Sequence, residues 1–241
     1  MISVLVISHN QSSYLVKMIE ALTEQLPSLN RLFVLDRCTD NSVNILTQTG
    51  ESFVIKSSGT GFEAGASRDY GLGFLPQDDI LFLDGDRIPH NLTEDLLAQA
   101  SQQFSICLIK VDTDYRTWFS DEFSINPNLN SKSSNVVSCG MLISRQVLDK
   151  IKQHNQGRVF HEAFDGNWGC EDDYIGYLAN HLNIPCGGFP KTTHVEGIVG
   201  KPFADWEEYQ QNGFKINRAK LDVLSRLLQS CQCELNCELN S

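Results

Sequence analysis

The chain opens with a β-branched run, Ser3 to Ser8, after which apolar residues recur at Leu15, Met18, Ile19, Leu22 and Leu26 until Pro27. The first pattern predicts a strand and the second a helix that proline ends. Arg31 to Asp36 reads as a second strand, Asn41 to Gln48 as a short helix, Phe53 to Lys56 as a third strand and Ile80 to Leu83 as a fourth. Strands and helices alternating at this spacing predict an α/β fold, a mostly parallel sheet flanked by helices.

In such sheets ligands bind beyond the carboxyl ends of the strands, so chemistry is sought in the polar residues that follow each apolar run. Here these are Ser8, His9 and Asn10, then Asp36, then Ser57 and Ser58, then Asp84, Gly85 and Asp86. After about residue 105 the pattern changes. Strand candidates Ile106 to Val111 and Val136 to Ile143 flank a polar stretch rich in Asn and Ser, Asp114 to Asn135, expected to be a mobile loop. Helical spacing returns at Ile175, Leu178 and Leu182 and again from Trp206 to Leu228, and the cysteine-bearing end reads as a frayed tail. The chain therefore divides into a first half, 1–104, a second half of the same domain, 105–229, and a tail, 230–241.

At 241 residues the chain can bury a core without disulfides, and 41% hydrophobic against 20% charged residues exclude a disordered chain. A net charge of -11 removes the basic surface that nucleic acid needs, so no nucleic-acid partner is expected. A nucleotide remains compatible, because a divalent cation offsets phosphate charge where acids cluster. The apolar runs are too short to span a bilayer and no basic segment followed by an apolar one opens the chain, which predicts a cytoplasmic protein. The eight cysteines are scattered, with Cys107 and Cys139 inside apolar segments, and are read mostly as reduced thiols.

Two acidic motifs carry the candidate chemistry. In ILFLDGDRIP, Asp84 and Asp86 follow a strand directly, a poor place for unpaired charge unless a cation or a donor-rich ligand is present. A divalent ion shared with phosphate oxygens meets that need, while an ordinary Asp-Gly turn is the competing reading. In GNWGCEDDYIGY, Glu171, Asp172 and Asp173 precede a helical pattern, where acids also serve as caps and dipole partners. Trp168 beside Gly169 suits a wall on which a sugar ring stacks.

Together with three further segments, these motifs make the chain resemble a family 2 glycosyltransferase of the GT-A fold. SVLVISHN is similar to the family's opening strand, VLDRCTDNS to its second-strand motif, GASRDYGL to its Ala-Arg-Asn-x-Gly element, LFLDGDRIP to its DxD motif, and DGNWGCEDDYIG to the Trp-Gly-Gly-Glu-Asp motif of related galactosyl- and N-acetylgalactosaminyltransferases. The order is specific where each piece alone is not. Departures are Cys170 in place of a glycine, and Arg37 and Cys38 after Asp36.

The resemblance implies transfer of a sugar from a nucleotide diphosphate sugar, a UDP-sugar first among them, to a hydroxyl of a saccharide or other acceptor. It implies that Asp86 holds Mn2+ or Mg2+ with His194 completing the metal site, and that Asp84 contacts the ribose or sugar. It implies that Ser8, Asn10, Asp36, Arg68 and Trp168 line the donor site. Asp172 is then the general base and Glu171 its neighbour that orients hydroxyls. One base without a protein nucleophile implies a single inverting displacement. The stretch Asp114 to Asn135, with Tyr115, Trp118 and Phe119 at its start, is a candidate lid.

Other readings stay open on the sequence. Gly59 to Gly65 has near-dinucleotide-binding glycine spacing and would suit an oxidoreductase, a nucleotidyltransferase would share the acid pair, and a noncatalytic sugar-binding relative would keep the fold without needing Asp172. The terminal CQCELNC could be read as a soft-metal site but has no clear fourth ligand.

Overall fold

A computed structural model describes residues 1–59, 63–112, 119–125, 139–166, 169–197 and 215–226. Four strands, β1 (Ile2–Ser8), β2 (Asn30–Asp36), β3 (Phe53–Lys56) and β4 (Asp79–Asp84), pair in parallel in the order β3-β2-β1-β4. Their apolar residues alternate between two faces. Leu5, Ile7, Val34, Ile80 and Phe82 enter one core, and Val4, Val6, Phe33, Leu35, Leu81 and Leu83 enter the other. Both faces are covered, which is why the strands read as unbroken apolar runs rather than alternating ones.

On the second face lie α1 (Ser12–Gln25), α2 (Ser42–Thr49) and α4 (Glu94–Gln103), contributing Leu15, Met18, Leu22, Leu46 and Leu97. On the first lie α3 (Ala64–Leu72), α5 (Arg145–His154) and α6 (Glu171–His181), together with a helix over 215–226 that inserts Leu221. Asp40 ties α1 to α2. Its Oδ2 accepts the Ser12 N–H at 2.8 Å and its Oδ1 accepts the Ser42 N–H at 3.1 Å, so one carboxylate caps both helix starts.

Beyond β4 the sheet continues through β9 (Gly140–Ile143), β6 (Ile106–Leu108), β10 (Cys186–Gly188) and β8 (Ser124–Ile125), with β9 antiparallel to both β4 and β6. The β4 to β9 pairing joins the two halves of the chain in one sheet. The expected strand Ile106 to Val111 is divided: after Leu108 the chain leaves this sheet, and β7 (Lys110–Val111) enters a smaller one, ordered β5-β11-β7, with β5 (Arg87–His90) and β11 (His194–Gly197). Ile109 marks the crossing, its N–H donating to Gly140 O at 2.8 Å.

Within the segment expected to be a mobile loop, the described residues 119–125 are packed into the fold. Phe119 is buried in the first core, Ser120 O accepts the Lys191 N–H at 2.7 Å, and β8 pairs with β10. Tyr115 and Trp118 lie outside the described residues, as do Trp206 and the tail 230–241. The described cysteines, Cys38, Cys107, Cys139, Cys170 and Cys186, are all free. Among the described residues no helix is long and apolar enough to cross a membrane.

Candidate active site at the strand tips

Because β1, β2 and β4 are parallel and in register, Ser8, Asp36 and Asp84 emerge side by side at one edge of the sheet. The DGD turn folds back across that edge. A Cβ on Gly85 would lie 2.9 Å from Gln11 Oε1 and 3.0 Å from Ser8 Cβ, so the turn packs closely on the end of β1 and a larger residue would make Gln11 and Ser8 give way. Opposite stands the start of α6, which follows Gly169 at φ +88° and Cys170 at φ +70°. The second of these is the position where the family motif has glycine. Cysteine there holds a left-handed backbone that costs about 1–2 kcal/mol for a residue with a side chain, and its thiol is buried in the core.

Arg68 joins the two acidic motifs. It is 1% exposed; its Nη2 donates to Asp84 Oδ1 at 2.6 Å and its Nη1 to Glu171 Oε1 at 3.2 Å, with the guanidinium carbon 5.4 Å from the Phe160 ring centre. Arg68, expected at the donor, forms an internal strut between the DxD strand and the α6 start. Glu171 is likewise turned inward, 6% exposed, with its carboxyl pushed up to about 7 by burial and by the charge of Asp172, against the pull of Arg68. Asp172 is half-buried at the rim of the same cluster, one oxygen accepting the Asp173 N–H at 2.9 Å.

Asp86 differs from its neighbour. Burial first, and then the charge of Asp84, push its carboxyl up to about 6, while Arg87 Nε approaches only to 3.8 Å. Among the described residues its counter-charge is Arg87, at ion-pair but not hydrogen-bond distance. Among the described residues no three His, Cys, Asp or Glu side chains form a metal cage. The donor set nonetheless fits a hard divalent ion of the kind held by one or two carboxylates and completed by substrate phosphate and water. His194 is not brought to it. In β11 it pairs with His90, while Gly197 pairs with Arg87, the residue after Asp86, so three residue steps of strand, about 10 Å, separate the two pairs. Its ring stacks on His90 with centres 5.0 Å apart, and its Nε2 is 3.5 Å from Asp112 Oδ1.

Asp36 is also drawn inward. It is fully buried, its oxygens receiving Arg37 Nε at 2.7 Å and Nη2 at 3.0 Å, with Lys56 Nζ 3.4 Å away. Burial opposes ionisation, but the Arg37 bonds and the Lys56 charge outweigh it and hold the carboxyl below its usual value. The groups presented beside it are therefore cationic, and Arg37 takes a left-handed φ of +49°. Asn10, at φ +53°, accepts the Thr39 N–H at 2.7 Å and so pins the β1 and β2 loops together. Ser8 Oγ is buried without a hydrogen-bond partner. Trp168 lies outside the described residues.

Two neighbours of the site, Arg87 and Asn217, were not singled out in the sequence, and a third, Cys139, was read there only as a core thiol. Arg87 was visible as the residue after DGD. Cys139 lies in the field of Asp84, Arg87 and Asp172, and burial followed by those acids pushes its thiol far up. Asn217 is fully buried on the helix over 215–226, its Nδ2 donating to Gly169 O at 2.8 Å, and no local motif announces it.

The model of the glycosyl transferase family 2 matches residues 3–171, more than half the chain, and the protein belongs to that family. Its fold is shared with the crystal structure of S. aureus TarS, at TM-score 0.64 and 17% identity over 85% of this chain and 38% of that one. TarS 1–349 in complex with UDP matches at TM-score 0.59 and 16% identity, over 83% and 60% of the two chains. TarS 1–349 in complex with UDP-GlcNAc matches at TM-score 0.55 and 14% identity, over 81% and 58%. The chain thus spans between 38% and 60% of the length of these solved chains. No curated protein matches it. Family membership leaves the oxidoreductase and nucleotidyltransferase readings without support.

Proposed function

We propose that the protein is an inverting, metal-dependent glycosyltransferase that moves a hexosyl group from a UDP-sugar to a hydroxyl of a saccharide or other acceptor. The observation that carries this reading is Asp86: a half-buried carboxylate in the turn that follows a central strand, beside Asp84, with Arg87 at ion-pair but not hydrogen-bond distance and an unpartnered Ser8 hydroxyl nearby. Such an arrangement costs stability unless a cation and a polar ligand complete it. The UDP and UDP-GlcNAc complexes of TarS support a uridine donor by analogy of fold.

Asp86 would hold Mn2+ or Mg2+, with Asp84 beside it kept in place by Arg68. The ion would neutralise charge on the leaving diphosphate. The residues of the chain do the rest. Asp172, at the rim of the acid cluster, takes the proton of the acceptor hydroxyl as that oxygen attacks the anomeric carbon. Glu171 and Arg68 behind it fix the α6 start and hence the position of Asp172. With Asp172 acting as base and no protein nucleophile assigned, displacement is direct and configuration inverts.

Calorimetric titration of UDP into the protein tests the reading. Binding in the presence of Mn2+ and its loss in excess EDTA are expected; equal binding in both would remove the metal from the account.

A further inference from the structure

Arg87 is the first residue of β5, its backbone fixed opposite Gly197 of β11. Arginines near the strand tips are otherwise committed. Arg68 bonds Asp84 and Glu171, Arg37 bonds Asp36, and Arg158 bonds Asp165 and Asp69. Arg87 is the exception: its guanidinium makes no hydrogen bond to any described residue, and its Nε is buried without a partner. The nearest charge is Asp86 Oδ1, 3.8 Å from that Nε, too long for a hydrogen bond. The side chain is 27% exposed, with Nε among its buried atoms, so part of it is open to a ligand.

An arginine in this state has an identifiable complement. A guanidinium offers five N–H donors in a planar fork that matches phosphate oxygens two at a time, and buried donors left unmade are costly. The neighbouring acid pair excludes a bare carboxylate ligand, whereas a diphosphate carried in with a cation on Asp86 brings several acceptor oxygens to the same edge.

We infer that Arg87 binds the diphosphate of the nucleotide donor and stays on the departing nucleoside diphosphate. The inference rests on the proposed function. In the transfer step the bond from the anomeric carbon to the diphosphate oxygen breaks, the bond to the acceptor oxygen forms, and the acceptor proton goes to Asp172. Arg87 moves no proton; it donates hydrogen bonds to the oxygens on which charge accumulates. Before the donor arrives it partly offsets Asp86. Having a fixed cation next to DGD separates this site from one in which the metal alone meets the phosphates.

The test is calorimetric binding of UDP and of uridine, both with Mn2+, to the wild type, Arg87→Gln and Arg87→Lys, with melting curves confirming that each variant folds. Arg87→Gln should weaken UDP by about 10- to 100-fold, the usual worth of hydrogen bonds to a charged group, and leave uridine unchanged. Arg87→Lys, which keeps the charge without the fork, should fall between. Unchanged UDP affinity in Arg87→Gln would overturn the assignment, as would equal weakening of UDP and uridine, since that pattern belongs to a structural residue. Failure of the wild type itself to bind UDP would instead overturn the proposed function, and the assignment with it.

Discussion

Asn217 reaches from the helix over 215–226 to donate a 2.8 Å hydrogen bond to the carbonyl of Gly169, the residue before the left-handed Cys170 that starts α6. A second donation, 3.4 Å, goes to Phe164 O, and Lys220 Nζ donates to Ala163 O on the same loop. The helix lies beyond the region that the family model matches, yet it braces the turn from which Glu171 and Asp172 project.

Asn217→Ala is therefore expected to leave a buried carbonyl unsatisfied and lower stability by about 1–3 kcal/mol, read by denaturant unfolding. Turnover should fall more than UDP affinity, because the turn it braces carries the base and not the strand-tip acids. Equal losses in both would show that the helix acts only through global stability.

Removing the strut has a larger expected effect. Arg68→Met leaves Asp84 and the fully desolvated Glu171 without their shared cation, a loss on the order of 3–5 kcal/mol for a buried pair broken on one side. Adding Glu171→Gln should recover part of it, because one orphaned charge is gone. A double variant no more stable than Arg68→Met would show that packing against Phe160, and not charge, is what Arg68 contributes.

The pH dependence follows from Asp86. Its folded carboxyl is raised to about 6 from an ordinary 3.8, so the folded protein binds more protons than the unfolded chain between those values. Stability from this group is full below pH 3.8 and is lost as pH rises toward 6. Asp86→Asn should therefore gain stability relative to the wild type across that window, measured as the difference between their melting temperatures. Mn2+ at pH 7 should narrow the gap by stabilising only the wild type. A gap that is flat with pH would mean that the Asp86 carboxyl is not raised in the folded protein.

The strand register bears on His194. Motif position alone made it a metal ligand, but β11 sets it opposite His90 and away from Asp86. His194→Ala should leave the Mn2+ dependence of UDP binding intact. Loss of that dependence would require β11 to shift along β5 when donor binds.

Much of the first half was legible because its strands are buried on both faces and leave apolar runs such as VLVI and ILFL; the ends of β3 fell where the sequence put them. Helix α3 was not read as a helix, since its buried residues are Ala64, Gly65, Ser67, Arg68, Gly71 and Leu72, which form no hydrophobic stripe. Asp84, Asp86, Glu171 and Asp172 were singled out from motif order, and the structure links two of them, Asp84 and Glu171, through Arg68. Their inward partners were not legible: that Arg68 faces two carboxylates and Asp36 faces Arg37 and Lys56 depends on pairing across 103 and 20 residues of sequence, which no local pattern encodes.

The central claim is that Asp172 is the base of a metal-dependent transfer, and the most direct measurement is the rate of sugar transfer by Asp172→Asn beside its affinity for UDP with Mn2+. The substitution keeps the size of the side chain and its place in the first turn of α6 but removes the proton acceptor. The account predicts a rate lowered by roughly 10²- to 10⁴-fold with UDP affinity unchanged. Transfer at the parental rate would contradict it and return the role of base to Glu171 or Asp173.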